Sequence, residues 1–348
     1  MRLALLGDVM LGRLVNDALR TLPPTYPWGD TLPILRAADA VIANLECVLT
    51  DHGVPEPEKA FTFRSDAKNV AVLDAARVAA VSLANNHSLD YGREALVECL
   101  SVLRGCGIAA AGAGRSIDAA AAPALVPLRG RASPVPEVPP LALVGWTDNE
   151  PAWEAGPHTP GVFHVPLTPG GDDPREEALL SVVAAAANAG QCVIVSAHWG
   201  PNWGVEPLAD HVRVARRLID AGADVIFGHS PHVFRGVELY RGKPIFYGCG
   251  DFIDDYYVDA VERNDLSCVS VLDYEEGRLR RLLLYPTVIR RFQARLARGA
   301  DREMFLERAA RLCRACGTQT HLVPKGLEIS LDIQRSPDGA GTRGALAY

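Results

Sequence analysis

Ala223-Asp-Val-Ile-Phe-Gly-His-Ser-Pro-His232 decides how this chain is read. Val225, Ile226 and Phe227 form an apolar run with the character of a short buried strand. Gly228 ends the run and lets the backbone approach closely whatever lies beyond. His229 and His232 follow three residues apart, and Pro231 between them stiffens the loop. Two imidazoles therefore sit at the carboxyl end of a strand, where open α/β sheets keep their ligands.

Four other strand-like runs end the same way. They are Leu3-Ala-Leu-Leu-Gly-Asp8, Ala40-Val-Ile-Ala-Asn-Leu-Glu46, Ala79-Ala-Val-Ser-Leu-Ala-Asn-Asn-His87 and Cys192-Val-Ile-Val-Ser-Ala-His198. One strand ending in a metal-competent residue means little, whereas five form a constellation. Helical periodicity alternates with these runs over residues 13–19, 31–37, 67–76, 93–104, 176–189 and 208–221, which places the chain in the α/β class. Further strands are expected at 108–111, at 125–128 and 141–145 around the Pro-rich loop 133–140, and in two hairpins turning at Arg241-Gly242 and Glu275-Glu-Gly277. Residues 51–63 read as a long exposed excursion and 146–169 as a lid or rim. Residues 290–316 read as one solvated, arginine-rich helix, and the tail after Gln334 as disordered. These signals divide the chain into a catalytic domain, 1–288, and a small helical extension, 289–348.

A length of 348 residues with 48% hydrophobic content supports a sizeable core. The net charge of −7 argues against a general nucleic-acid binder. Cationic residues are nearly all arginine, the lysines being Lys59, Lys68, Lys243 and Lys325. The eight cysteines are scattered through apolar runs, which suits free thiols in a reducing compartment, and Cys313-Arg-Ala-Cys316 lacks a second pair that would make it a zinc site. No run is long enough for a membrane helix, and Asp8 interrupts the first apolar run before it reaches the length of a signal peptide. A cytoplasmic location is the expectation.

The strand-end donors are two carboxylates (Asp8, Glu46), an amide oxygen (Asn86) and three imidazoles (His198, His229, His232). A nitrogen and oxygen set without thiolates suits Mn, Fe or Zn, with Ca or Mg as further candidates. Two divalent ions about 3.5–4 Å apart need a bridging carboxylate, a place Glu46 is suited to fill. Lys59 and Arg64 either reach back to an anionic ligand or stay solvated. Gly112-Ala-Gly-Arg115 lacks the third glycine of a dinucleotide fingerprint and reads as a tight turn that aims Arg115. Arg13, at the end of the first loop, joins these as a candidate substrate cation. Asp251, Asp254 and Asp255 either line the substrate pocket, supply a base, or cap the following turn.

Taken together, Gly7-Asp-Val-Met-Leu-Gly-Arg13, Asn44-Leu-Glu46, Ser82-Leu-Ala-Asn-Asn-His-Ser-Leu-Asp-Tyr-Gly92, Gly112-Ala-Gly-Arg115, Ala197-His-Trp-Gly200 and Gly228-His-Ser-Pro-His232 resemble the CapA, or poly-γ-glutamate (capsule) synthesis, family of the calcineurin-like metallophosphatase superfamily. The resemblance spans roughly residues 1–260 and implies a sandwich of two mixed β-sheets flanked by helices. It implies that Asp8 and His232 hold one ion and Asn86, His198 and His229 the other, with Glu46 between them. His87 would be the proton donor or transition-state stabiliser, oriented by Asp90. Met10 stands where the wider superfamily has the histidine of Asp-x-His, and Glu46 where it has an aspartate.

The resemblance implies a metal-dependent hydrolase using a metal-activated water on a phosphate ester or an amide-linked polymer. The substrate would be a small molecule, a peptide or a polyanionic polymer. Two rivals stand beside it. A metal pair that polarises a carboxylate also acidifies the adjacent Cα–H, which admits a peptide epimerase. A non-catalytic assembly factor of a polymer-synthesis complex is the other.

Overall fold

The structure is a computed structural model that describes residues 1–128, 139–275 and 277–331. The Pro-rich loop 133–140, apart from its last two residues, and the tail after Gln334 lie outside the described residues. The first strand, Arg2–Val9, is buried on both faces. Leu3 and Leu5 enter one core while Ala4 and Leu6 enter another, as the two-residue period of a strand requires. Burial on both faces also explains why the run reads as continuously apolar rather than alternating.

Ten strands form the large sheet among the described residues. Arg2–Val9 pairs in parallel with Ala40–Leu45, which is followed outward by Val78–Ser82 and Ala109–Ala111. On its other side the antiparallel strands Leu266–Glu275, Arg278–Arg290, Gly326–Ser330 and His321–Val323 extend the sheet. Asp251–Ile253 adds a short parallel partner to the first strand. The second sheet has six strands among the described residues. Its parallel centre is Leu141–Thr147, Cys192–His198, Val225–His229 and Lys243–Phe246. Ala124–Val126 and Val237–Tyr240 close its edges antiparallel.

The two sheets pack face to face over a core that includes Leu5, Ile42, Leu143, Ile194 and Phe227. Helix Arg93–Gly105 contributes Leu96, Cys99 and Leu103 to the core on the outer face of the large sheet. Helices Pro174–Asn188 and Ala209–Asp220 bury Leu179, Val183 and Leu218 on the outer face of the small one. This is the expected sandwich of two mixed sheets flanked by helices.

The carboxyl-terminal region differs from the sequence reading. Residues 290–316 are not one helix: the strand Arg278–Arg290 turns through Arg291 and Phe292, both at positive φ, into Gln293–Leu296, and helix begins only at Gly299. Helix Gly299–Ala315 is also not simply solvated. Phe305, Leu306, Ala309, Leu312 and Cys313 enter the inter-sheet core, with Phe305 5.5 Å from Phe234 between ring centroids. Its arginines occupy the outer face, while the buried face follows the 3.6-residue period.

Residues 146–169 are likewise more ordered than a bare rim. The strand runs on to Thr147, a 3-10 turn spans Pro151–Trp153, and Gly161–Val162 pairs with Ala113–Gly114.

One buried histidine has a structural role away from the strand ends. His211 lies flat on Trp199, 4.9 Å between centroids at 4°. Burial and the nearby Arg235 charge hold its pKa down to about 4. The unfolded chain takes up that proton near pH 6.5 and the folded one resists it, so the stability contribution is full above about 6.5 and declines as pH falls toward 4. The stability difference between wild type and His211→Gln, measured by urea unfolding, is therefore expected to shrink between pH 7 and pH 4.5.

Candidate metal centre

Strand register brings the candidate ligands together. In the large sheet Asp8 lies opposite Asn44 on one side and Asp251 on the other. In the small sheet His198 lies opposite His229. Gly7 makes the first pairing possible, because a Cβ there would lie 1.9 Å from the Gly250 carbonyl oxygen. With only hydrogen at that position, the Gly250 carbonyl passes close by and accepts the Asp8 N–H at 3.0 Å.

Asp8 then ties the two sheets to each other. Its Oδ1 accepts from the Asn44 amide at 2.9 Å and lies 2.8 Å from His229 Nδ1. Asn44 is itself held by the Asn85 amide, which donates to its Oδ1 at 3.0 Å. His232 Nδ1 is 2.8 Å from Asp251 Oδ1. One donor atom each from Asp8, Glu46, His232 and Asp251 falls within 4.8 Å of the others. His198 Nε2 lies 3.9 Å from Glu46 Oε1, close to the same group.

The electrostatics reflect like charges in a dry place. Burial, then the charges of Asp8 and Asp251, push Glu46 well above the usual carboxylate range. Burial raises Asp251 as well, against the pull of His232. Burial would raise Asp8 too, but the His229 charge and hydrogen bond hold it below its ordinary value. Among the imidazoles, burial pulls His198 down to about 3. His232 rises to about 9, because the charge and hydrogen bond of Asp251 outweigh burial. A bound cation stabilises ionised carboxylates and neutral imidazoles, and so draws the group toward the forms that ligate it.

The donor set fits divalent ions. Asp8 Oδ2, Glu46 Oε2, Asp251 Oδ2, Asn86 Oδ1, His198 Nε2 and His229 Nε2 are buried and have no partner in the protein. Buried polar atoms are ordinarily paired, so six orphaned donor atoms on these residues match what metal ligation would satisfy. Asp251 is the addition to the six ligand candidates from the sequence. Met10 turns away into the core, where its sulfur accepts the Gly12 N–H at 3.0 Å.

His87 and Asp90 lie beside this group. His87 Nδ1 is 2.6 Å from Asp90 Oδ2, which also accepts the Phe63 N–H at 2.6 Å. The Phe63 ring stacks on His87, 3.9 Å between centroids. Burial lowers the His87 pKa, against the Asp90 hydrogen bond. Tyr256 bridges the two groups, its ring 5.6 Å from Phe63 and 5.2 Å from His232. Its buried hydroxyl has no protein partner, and burial together with the Glu46, Asp251 and Asp254 charges raises its pKa.

The other candidates are placed as follows. Lys59 is engaged within the protein: its ammonium bonds the Asn86 carbonyl and pairs with Asp90 at 3.0 Å and Glu150 at 3.4 Å. Arg13 pairs with Asp255 at 3.3 Å, and its guanidinium lies 5.8 Å from the Phe63 ring that covers His87. Arg64 sits over Tyr91. Arg115 is exposed at the end of Ala113–Gly114, with no polar partner among the described residues. Asp254 is buried; its Oδ1 accepts the Tyr256 N–H at 3.0 Å, and burial with the Asp251 charge raises its pKa well. Sequence reasoning missed Asn44, Tyr256 and Trp203. Trp203 is 48% exposed beside His232, with ring centroids 5.8 Å apart.

The model of the bacterial capsule synthesis protein family, PGA_cap, matches residues 2–256. The chain belongs to the PGA_cap family. A relative from Mycobacterium tuberculosis, named a probable polyglutamine synthesis accessory protein, is 35% identical over 92% of this chain and 85% of its own length. The PGA biosynthesis protein CapA of Bacillus subtilis is 30% identical over 72% of this chain and 62% of its own length. The capsule biosynthesis protein CapA of Bacillus anthracis is 25% identical over 73% of this chain and 59% of its own length. The PGA_cap match takes in every candidate ligand, from Asp8 to Asp251. Among the described residues no helix is long and apolar enough to cross a membrane.

If the cluster binds a divalent ion, Mn2+ at 100-fold its Kd should stabilise the chain by about 2.7 kcal/mol, read as a rise in Tm. Glu46→Gln and Asp251→Asn should lose that rise. Without metal Glu46→Gln is expected to melt no lower than wild type, since it relieves the crowding of buried carboxylates, whereas Asp251→Asn also takes the charged partner from His232 and is expected to melt lower. An Mn2+ response that survives both substitutions would place the ion elsewhere.

Proposed function

We propose that this member of the PGA_cap family is a metal-dependent hydrolase of a phosphate ester or an amide-type bond in capsule or poly-γ-glutamate metabolism. The observation that carries the reading is the convergence of Asp8, Glu46, His232 and Asp251 beside a hydrogen-bonded His87–Asp90 pair. Asp8, Glu46, Asn86, His198, His229, His232 and Asp251 would hold the ions. When bound, such ions supply an acidified water and polarise the oxygen at the centre under attack.

The protein's own groups account for the rest. Asp90 accepts the Nδ1 proton of His87, which leaves Nε2 to exchange a proton with the leaving atom. The Tyr256 hydroxyl, buried and without a protein partner, is a donor for charge developing on a substrate oxygen. Arg13, one aromatic ring away from His87, is the cation best placed to meet an anionic substrate. Trp203 offers a flat apolar wall at the rim beside His232.

The names of the relatives, which speak of polyglutamine, PGA and capsule synthesis, favour a polymer of glutamine or glutamate units as the material handled, and a charged glutamate chain would suit an arginine at the rim. The Mn2+-loaded protein is expected to hydrolyse an aryl phosphate or a γ-glutamyl anilide. His198→Ala should abolish turnover, and His87→Asn should lower kcat by roughly 10²–10⁴-fold, as loss of a general acid or base does. Absence of turnover on both substrates with metal bound, together with deuterium uptake into a glutamyl peptide from heavy water, would replace hydrolysis with epimerisation.

A further inference from the structure

Lys59 lies in the excursion 51–63, which the sequence presents as exposed loop, yet its side chain is only 16% exposed. The ammonium lies among three oxygens: the Asn86 carbonyl, Asp90 Oδ1 at 3.0 Å and Glu150 Oε1 at 3.4 Å. The Trp153 ring covers it, 4.4 Å from Nζ to the centroid. An ammonium so surrounded is held by the protein itself, through a hydrogen bond to the Asn86 carbonyl and ion pairs to Asp90 and Glu150. Its role must run through what it touches.

Asp90 is the contact that matters. Its carboxylate is fully buried, and Oδ2 already serves His87 Nδ1 and the Phe63 N–H. Oδ1 has no aligned hydrogen-bond donor, and the Lys59 ion pair is what it faces. A buried carboxylate needs a counter-charge to remain ionised. An ionised carboxylate is also acceptor-only, so it compels His87 to donate from Nδ1 and leaves Nε2 free.

We propose that Lys59 is a positioning residue for the His87–Asp90 pair, its buried ammonium keeping Asp90 an acceptor and thereby fixing the tautomer of His87. The proposal rests on the reading of that pair as the proton-exchanging group. Lys59 is not needed simply to hold the loop down. The Glu56 N–H donates to the Asp90 carbonyl at 2.8 Å and the Phe63 N–H to its carboxylate, so the excursion is fastened on both sides of Lys59 without it.

The test uses the full chain loaded with Zn2+ as a diamagnetic probe and labelled with 15N in its histidine rings. Proton–nitrogen correlation spectra assign the His87 tautomer by comparison with His87→Gln. Wild type and Lys59→Arg are expected to show the Nδ1–H form. Lys59→Met is expected to lose it, and Lys59→Gln, which keeps a donor but not the charge, covers a failure of the methionine variant to fold. On an aryl phosphate both neutral variants should lose roughly 10–100-fold in kcat, the usual cost of removing a partner one step behind a reacting group, with KM and zinc content unchanged. The Nδ1–H form persisting in the neutral variants, or a change in KM or zinc content without a change in kcat, overturns the proposal. Should wild type show no turnover, the hydrolase reading fails, and the spectra still decide the role of Lys59.

Discussion

The hydrogen bond between Asp8 and His229 is the contact on which the rest of this molecule turns. It joins the carboxyl ends of the two sheets through side chains, 2.8 Å apart and shut off from water, beside the His232–Asp251 contact of the same length. Both partners are fixed by more than each other. Asp8 is pinned through its main chain to Gly250 and through its Oδ1 to Asn44, while His229 continues a strand in register with His198. Taking the Asp8 carboxylate out of water costs several kcal/mol, and its hydrogen-bond partners return that only in good geometry. The junction is therefore not what stabilises the sandwich. The inter-sheet core does that, and the junction consumes part of what the core provides.

That expenditure has a recognisable pattern. Asp251 and Glu46 crowd Asp8 with further carboxylates, and Asp254 adds another one behind. A protein seeking only stability would replace them with apolar residues of similar volume. A divalent ion changes the sign of each of these terms at once, turning repulsion among the carboxylates into shared attraction. Met10 belongs to the same logic. Where the wider superfamily has an imidazole, this chain buries a thioether in the core, and Asp251 brings a carboxylate to the same strand from the opposite side. A centre built from these residues would have a harder, more anionic donor set, suited to oxygen-preferring ions over soft ones.

How much of this was legible in the chain depended on whether the signal was local. Strand ends at Asp8, Glu46, His198 and His229 could be read because each follows an apolar run that only a buried strand explains. The sandwich followed from those runs together with the family resemblance. Asp251 reads as a pocket, base or turn-cap candidate but not as part of the cluster, because its strand is three residues long and its partner lies some 240 positions earlier in the chain. Lys59 looked free because nothing in residues 51–63 reveals that Asp90 and Asn86 lie beneath it. Helix Gly299–Ala315 was misjudged for a different reason: its arginines dominate the composition while five buried residues at helical spacing decide its place.

The charge of the whole chain bears on what approaches the centre. At −7 the protein offers no long-range attraction to a polyanion, and its field repels one weakly. Recognition of an anionic polymer must then be short-range, within about a Debye length of 8 Å at physiological salt. Arg13 meets that condition, being partly exposed and stacked beside Phe61 and Phe63 next to His87. Lys59 does not, because its ammonium is enclosed beneath Trp153 and turned toward Asp90 and Glu150. A site with one local arginine and an aromatic rim suits the end or a single linkage of a polymer better than an extended length of it. An extended polyanion would need a row of unpaired cations leading away from the centre, and Arg64, drawn onto Tyr91, does not begin one.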